Sequence, residues 1–225
     1  MSCKETISEM TKITVKIWEK QLLDFNMKID GLPIKRDAFI EHILKKEIDL
    51  LAADMDGKRL SPKARKYISG ELKRLGTVPV NIVVEKRTAE RLDEVVRASN
   101  TNMVRDAFFN RLILFLRSSD HLLKFLDLPV HITDTAFKSL AQPMPTGPLQ
   151  AIREVFDDPL FYLRIACKER HKTGLYLTPL PCELNGLACY LEDSMVPGTD
   201  ANAELQEAFN ELTSFESEVF SKRTG

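Results

Sequence analysis

The chain has 225 residues, 44% of them hydrophobic and 29% charged, which is the balance of a globular protein with ample length for a core. No apolar run approaches the roughly 20 residues that span a bilayer, and Met1 to Thr11 lacks a signal-peptide centre. Four scattered cysteines make no disulfide framework, so a reducing cytosol is expected. The net charge of −1 conceals an asymmetry. Residues 1–128 hold 24 Lys+Arg against 19 Asp+Glu (+5), and residues 129–225 hold 8 against 14 (−6). A basic front and an acidic back suit a nucleic-acid module joined to something that avoids nucleic acid.

In chain order, Lys12 to Trp18 alternates as a half-buried strand does, with Ile13, Val15 and Ile17 on one face. Its other face shows Lys12, Thr14 and Lys16. Such a face either enters a DNA major groove or belongs to an edge strand guarded against aggregation by lysines. A helix is expected over Lys20 to Ile29 on Leu22, Leu23, Phe25, Met27 and Ile29, ending at Asp30-Gly31. Pro33 then fits the first turn of a second helix, which runs to about Ala53 on Phe39, Ile40, Ile43, Leu44, Ile48 and Leu51.

The most basic segment follows. Lys58 to Arg74 carries seven cations against Glu71 alone, with Ser61 as a helix cap, Pro62 in the first turn and Gly76 at the end. It is either a helix along a phosphate backbone, with Tyr67 as packing anchor, or a solvated linker. A second strand, Val80 to Val84, puts Val80, Ile82 and Val84 on one side and Asn81 and Val83 on the other. Next come a helix over Thr88 to Ser99 on Leu92, Val95 and Val96, a turn at Asn100-Thr101-Asn102, and a helix from Met103 to Arg117 that Asn102 is placed to cap. Arg-Asp-Ala-Phe occurs twice, at Arg36 to Phe39 and at Arg105 to Phe108, which makes a repeat of about 70 residues.

Over residues 10–118 these elements resemble two tandem copies of the ribbon–helix–helix unit of the Arc and MetJ repressors. The resemblance implies a mainly α fold in which two strands pair antiparallel and the ribbon enters the major groove of double-stranded DNA. It assigns DNA contact to Lys12, Thr14, Lys16, Asn81 and Val83. It also implies that backbone N–H groups at the start of each second helix grip a phosphate. Those positions are Ile34, Lys35 and Arg36 in the first copy, where Pro33 lacks an N–H, and Asn102, Met103, Val104 and Arg105 in the second. For Arg36 and Arg105 a local ion pair is the alternative. From Trp18 to Pro79 there is chain enough for an intramolecular ribbon, and the unlike halves favour it over pairing between chains. Pro79 and Val83 depart from the family's polar pattern. Val83 can touch a thymine methyl but cannot read guanine, which puts palindromic and even base-specific recognition in doubt.

The implied function is a sequence-specific transcriptional regulator, a bacterial, plasmid or phage repressor acting at the nucleoid as a homodimer. The alternative is an antitoxin-like or assembly protein whose back half binds a protein partner, with DNA binding secondary or lost. The divisions expected are 1–57, a linker helix over 58–76, 77–128, and an α-rich region over 129–225 for dimerisation or partner binding.

In that last region, short helices are expected at Asp120 to Leu128, Leu149 to Phe156 and Leu160 to Lys172, with a loop at Gln142 to Pro148. Leu175 to Leu177 and Leu187 to Leu191 read as strands or extended segments. A final helix, Asp200 to about Phe220, carries Leu205, Phe209, Leu212, Phe215 and Val219 as core or dimer interface. Cys167 and His171 share a helical face, and with Cys182 and Cys189 they make a Cys₃His zinc site conceivable. The spacing is unlike Cys-x-x-Cys knuckles, so no metal is expected. No Gly-rich phosphate loop, His-Glu-x-x-His or Gly-x-Ser-x-Gly occurs, so neither a cofactor nor an enzyme is expected. His42, His121 and His131 show no sequence partners.

Overall fold

Two nine-residue segments rich in β-branched residues form strands, Met10–Trp18 (β1) and Thr77–Glu85 (β2). A computed structural model describes them together with the rest of residues 9–30, 35–98, 103–117 and 158–223. The strands pair antiparallel within the one chain, Thr14 opposite Asn81, Lys12 opposite Val83 and Lys16 opposite Pro79. Side chains alternate along a strand, so this register sends Val15, Ile17, Ile82 and Val84 together into the core. Lys12, Thr14, Lys16, Pro79 and Asn81 are left exposed on the far face, with Val83 half-buried. β2 begins earlier than the apolar pattern suggests and includes Pro79. The N–H groups of Val83 and Glu85 point to the open edge, so by the two-residue period the Pro79 nitrogen does too, where no ladder bond is lost.

Each strand runs into two helices. β1 is followed by α1 (Glu19–Asp30) and α2 (Arg36–Asp54), and a further helix, α3 (Pro62–Arg74), leads into β2. β2 is followed by α4 (Lys86–Arg97) and α5 (Arg105–Arg117). Ser61 caps α3, its hydroxyl accepting from the Ala64 N–H at 3.0 Å, and Gly76 closes it with a φ of 79°. The expected starts at Pro33 and the capping by Asn102 lie outside the described residues, as do the segments expected over 120–156.

The core lies between the ribbon's inner face and the helices. α5 is buried nearly all round from Ala107 to Phe115, because the ribbon, α1, α3 and the C-terminal segment enclose it. The same core takes in Leu160 and, from α6 (Phe161–His171), Leu163, Ala166 and Cys167, with Leu175, Tyr176, Leu187 and Cys189 beyond it.

Residues 175–177 form tight turns and not a strand. The Leu177 and Thr178 N–H groups donate back to the Gly174 carbonyl, and the Arg111 guanidinium takes the carbonyls of Leu175 and Thr178. With its polar groups met in this way the backbone needs no sheet partner. Residues 187–191 end a 3-10 turn (Cys182–Leu187) and continue without a partner strand. That turn lies directly on α3: a Cβ on Gly186 would sit 2.5 Å from the Leu72 nitrogen.

The last helix, α7 (Asp200–Arg223), is launched by Thr199, whose hydroxyl accepts from the Asn202 N–H at 3.1 Å. Its apolar stripe is not core in this chain, since Phe209 is 56% and Leu212 62% exposed. Among the described residues no helix is long and apolar enough to cross a membrane.

Candidate nucleic-acid interface

A two-stranded ribbon has two open edges, each a row of backbone groups that need partners. Here the second helix of each half closes the edge of the other half's strand. At the start of α2, Asp37 Oδ2 accepts from the Val83 N–H at 3.0 Å while Arg36 Nη2 donates to the Asn81 carbonyl at 3.1 Å. At the start of α5, Asp106 Oδ1 accepts from the Lys16 N–H at 3.2 Å while Arg105 Nη2 donates to the Thr14 carbonyl at 2.8 Å. The repeated Arg-Asp-Ala-Phe is thus a pair of clips, one per edge.

One turn further along each helix the arrangement recurs. Glu41 accepts from the Glu85 N–H at 3.2 Å and from the Thr88 hydroxyl at 2.6 Å. Asn110 accepts from the Trp18 N–H at 2.7 Å and from Gln21 Nε2 at 2.5 Å, and donates to the Lys16 carbonyl at 2.7 Å. Thr14 and Asn81 are 67 residues apart, and so are Trp18 and Glu85, and Gln21 and Thr88. Arg36 and Arg105, like Glu41 and Asn110, stand 69 apart. The bonds therefore obey a pseudo-twofold axis through the ribbon. Glu41, Asn110, Gln21 and Thr88 went unread in the sequence. Their signal was there only in the register, once the strands are aligned 67 apart and the second helices 69 apart.

Of the residues expected to contact DNA, Lys12, Thr14, Lys16, Asn81 and Val83 come together on one face of the ribbon. The Thr14 hydroxyl donates to Asn81 Oδ1 at 2.9 Å. That bond turns the amide's NH₂ donors to the other side, so the face is dominated by N–H donors. Of the residues expected at phosphates, Arg36 and Arg105 are 31% and 35% exposed, and each also has an acid beside it, Asp37 at 2.8 Å and Asp93 at 3.7 Å. Both the ion-pair and the strand-clip arrangement thus operate at these two residues. Lys35 stands at the N-cap of α2 and makes no side-chain cap bond. Met103 is buried in the core and Val104 half-buried. Ile34 and Asn102 lie outside the described residues.

The C-terminal segment is fastened to the back of this unit by buried polar groups. Glu47 receives Arg164 at 2.8 and 3.0 Å and the Tyr176 hydroxyl, and the Tyr176 N–H donates to Asp54 Oδ2 at 2.9 Å. Burial pushes the Tyr176 phenol well above its ordinary range, keeping it a neutral donor. The Arg111 guanidinium is fully buried against the Phe115 ring at 5.1 Å, and burial lowers its pKa. Burial also raises the thiols of Cys167 and Cys189, the latter to about 12, which suits packing and not metal ligation. Cys182 is exposed, and among the described residues no group of three His, Cys, Asp or Glu side chains gathers at a metal's distance. The Cys₃His grouping is not assembled.

In comparisons with known proteins, no family model matches the chain, and no curated protein or solved structure matches it.

Proposed function

We propose that the chain is a tandem ribbon–helix–helix protein that binds duplex DNA sequence-specifically and acts as a transcriptional regulator, repressing by occupying its site. The observation that carries this reading is the outward face of the ribbon. Lys12, Thr14 and Lys16 stand beside Asn81 and Val83 on a narrow two-stranded surface that is exposed in the described chain. A paired ribbon fits the major groove, and lysine ammonium and amide donors match the O6 and N7 acceptors of guanine. Val83 supplies a methyl contact for thymine. Because β1 brings the cations and β2 brings Pro79, Asn81 and Val83, the site read is not a palindrome.

The test is titration of the full chain against duplexes recovered by selection from random sequence, at several salt concentrations. Affinity should fall steeply with salt, as phosphate contacts require. Lys16→Ala should weaken the selected site by about 1–3 kcal/mol, the worth of a base contact. Unchanged affinity in that variant would overturn the ribbon as reader.

A second reading, a protein-interaction module, has its own support. α7 carries Asp200, Glu204, Glu207 and Glu211 around exposed Phe209 and Leu212, a surface suited to a protein partner or a second copy. The two readings are compatible, with the ribbon on DNA and α7 on protein.

A further inference from the structure

We infer that the DNA-contacting surface continues from the ribbon onto α3, on one flank only, so that phosphate contacts are lopsided about the pseudo-twofold axis. This rests on the reading that the ribbon binds duplex DNA.

The first observation is where α3 sits. Ala64 and Ile68 pack in one small cluster with Ala107 and Val104, the first turn of α5. That turn is the one whose Arg105 and Asp106 clip the outer edge of β1 at Thr14 and Lys16. The C-terminal end of α3 is tied to the end of the ribbon, the Glu19 N–H donating to the Gly76 carbonyl at 3.1 Å. α3 therefore flanks β1, the strand that bears Lys12 and Lys16. The pseudo-twofold relates α5 to α2, but among the described residues α3 has no counterpart beside β2.

The second observation is charge. With Ala64, Ile68 and Leu72 turned inward, α3 exposes Lys63, Arg65, Lys66 and Lys73. Among the described residues no carboxylate pairs with these four, whereas Arg74 is held by Glu71 at 2.6 Å. Elsewhere on the fold some exposed cations sit beside an acid, Lys45 by Glu85, Lys86 by Glu9 and Arg91 by Asp49, whereas Lys12 and Lys16 of the ribbon, like these four, have none among the described residues. Four unpaired cations on a helix packed beside the turn that clips β1 complement the evenly spaced negative charge of one DNA strand.

The experiment compares the full chain with a variant carrying Lys63→Gln, Arg65→Gln, Lys66→Gln and Lys73→Gln. The probes are a 30-base-pair duplex obtained by selection and a 30-base-pair duplex of unrelated sequence. A control variant removes four exposed cations that lie on neither α3 nor the ribbon: Lys46→Gln, Arg91→Gln, Lys168→Gln and Lys172→Gln. All should melt like the parent, since the changes lie on the surface. Each lost phosphate contact lowers the slope of log affinity against log salt by roughly 0.9. The α3 variant should lose about 2 or more on both duplexes, the control variant much less, and Arg in place of the three lysines should keep the parental slope. Hydroxyl-radical footprints on the selected duplex should extend further on one side, and that extension should vanish in the α3 variant. If the parent binds and the α3 variant keeps its slope and footprint, or if the control variant loses as much, the α3 surface is refuted while the ribbon stands. If the parent binds neither duplex, the ribbon reading falls and this one with it.

Discussion

The two halves of the ribbon unit match on the inside and differ on the outside. Asp37 and Asp106, Arg36 and Arg105, and Glu41 and Asn110 meet equivalent backbone groups through equivalent bonds. Facing outward, by contrast, Lys12 corresponds to Pro79, Thr14 to Asn81 and Lys16 to Val83. The inner set is fixed by a demand that does not vary: an edge N–H or carbonyl removed from water must find a partner. Side chains vary while the bond survives, so a carboxylate serves at Glu41 where an amide serves at Asn110. Folding constrains the outward set less: one bond, from the Thr14 hydroxyl to Asn81, ties its members together. Its asymmetry is therefore freer to follow what the face meets, as the proposed DNA contact requires.

The inner equivalence should break unevenly. Asn110 is fully buried and serves Trp18, Lys16 and Gln21, whereas Glu41 lies nearer the surface with Lys45 at 3.5 Å. A buried group left without its partner costs about 1–3 kcal/mol. Asn110→Ala should thus lose about 3 kcal/mol or more in denaturant unfolding, and Glu41→Ala clearly less. Equal losses would mean that the two halves are not held in the way described.

The outer difference can be erased. Val83→Lys places an ammonium where the axis puts the equivalent of Lys16, without touching the core. Salt-dependent binding should steepen by up to roughly 0.9 in slope if the new cation reaches a phosphate. The selected sequence should also become more nearly palindromic, with a guanine contact in place of the thymine methyl. Selection that returns the parental site would show that Val83 does not face a base.

How far this was legible from residues alone follows the same division. The ribbon and its helices were readable because their signals are local: alternation over Lys12 to Trp18, a Gly after Leu75, and Arg-Asp-Ala-Phe twice. The C-terminal segment was not. Leu175 to Leu177 has the composition of a strand, but the Leu175 and following Thr178 carbonyls are claimed by Arg111, 64 and 67 residues away, and Tyr176 by Glu47 and Asp54 from α2. No period in the local sequence announces partners that distant. Leu205, Phe209 and Leu212 were readable as a stripe, but a stripe does not say what lies against it.

The back of the molecule holds a carboxyl whose burial links folding to pH. Burial raises the pKa of Asp54 above its ordinary value, against the opposing effect of its bond from the Tyr176 N–H. A carboxyl whose folded pKa is raised favours the fold below its unfolded pKa, and that contribution is lost as pH rises through the folded value. Asp54→Asn keeps an acceptor for the Tyr176 N–H and cannot ionise. Thermal melting of this variant should exceed that of the parent above the raised pKa, with the gap closing in acid. A gap constant with pH would assign the effect to packing.

The smallest effect is expected at α7. Phe209 and Leu212 are more than half exposed, so Phe209→Glu with Leu212→Glu should change the unfolding free energy by no more than about 0.5 kcal/mol. If α7 joins two copies, sedimentation equilibrium should nevertheless show the variant at lower mass than the parent at the same concentration. The like charges of Glu204, Glu207 and Glu211 oppose a parallel pairing of the helix with itself, so raised salt should strengthen any self-association through this face. A parent that stays monomeric at every salt concentration would instead leave the stripe to a partner of another kind, one whose basic residues answer those glutamates.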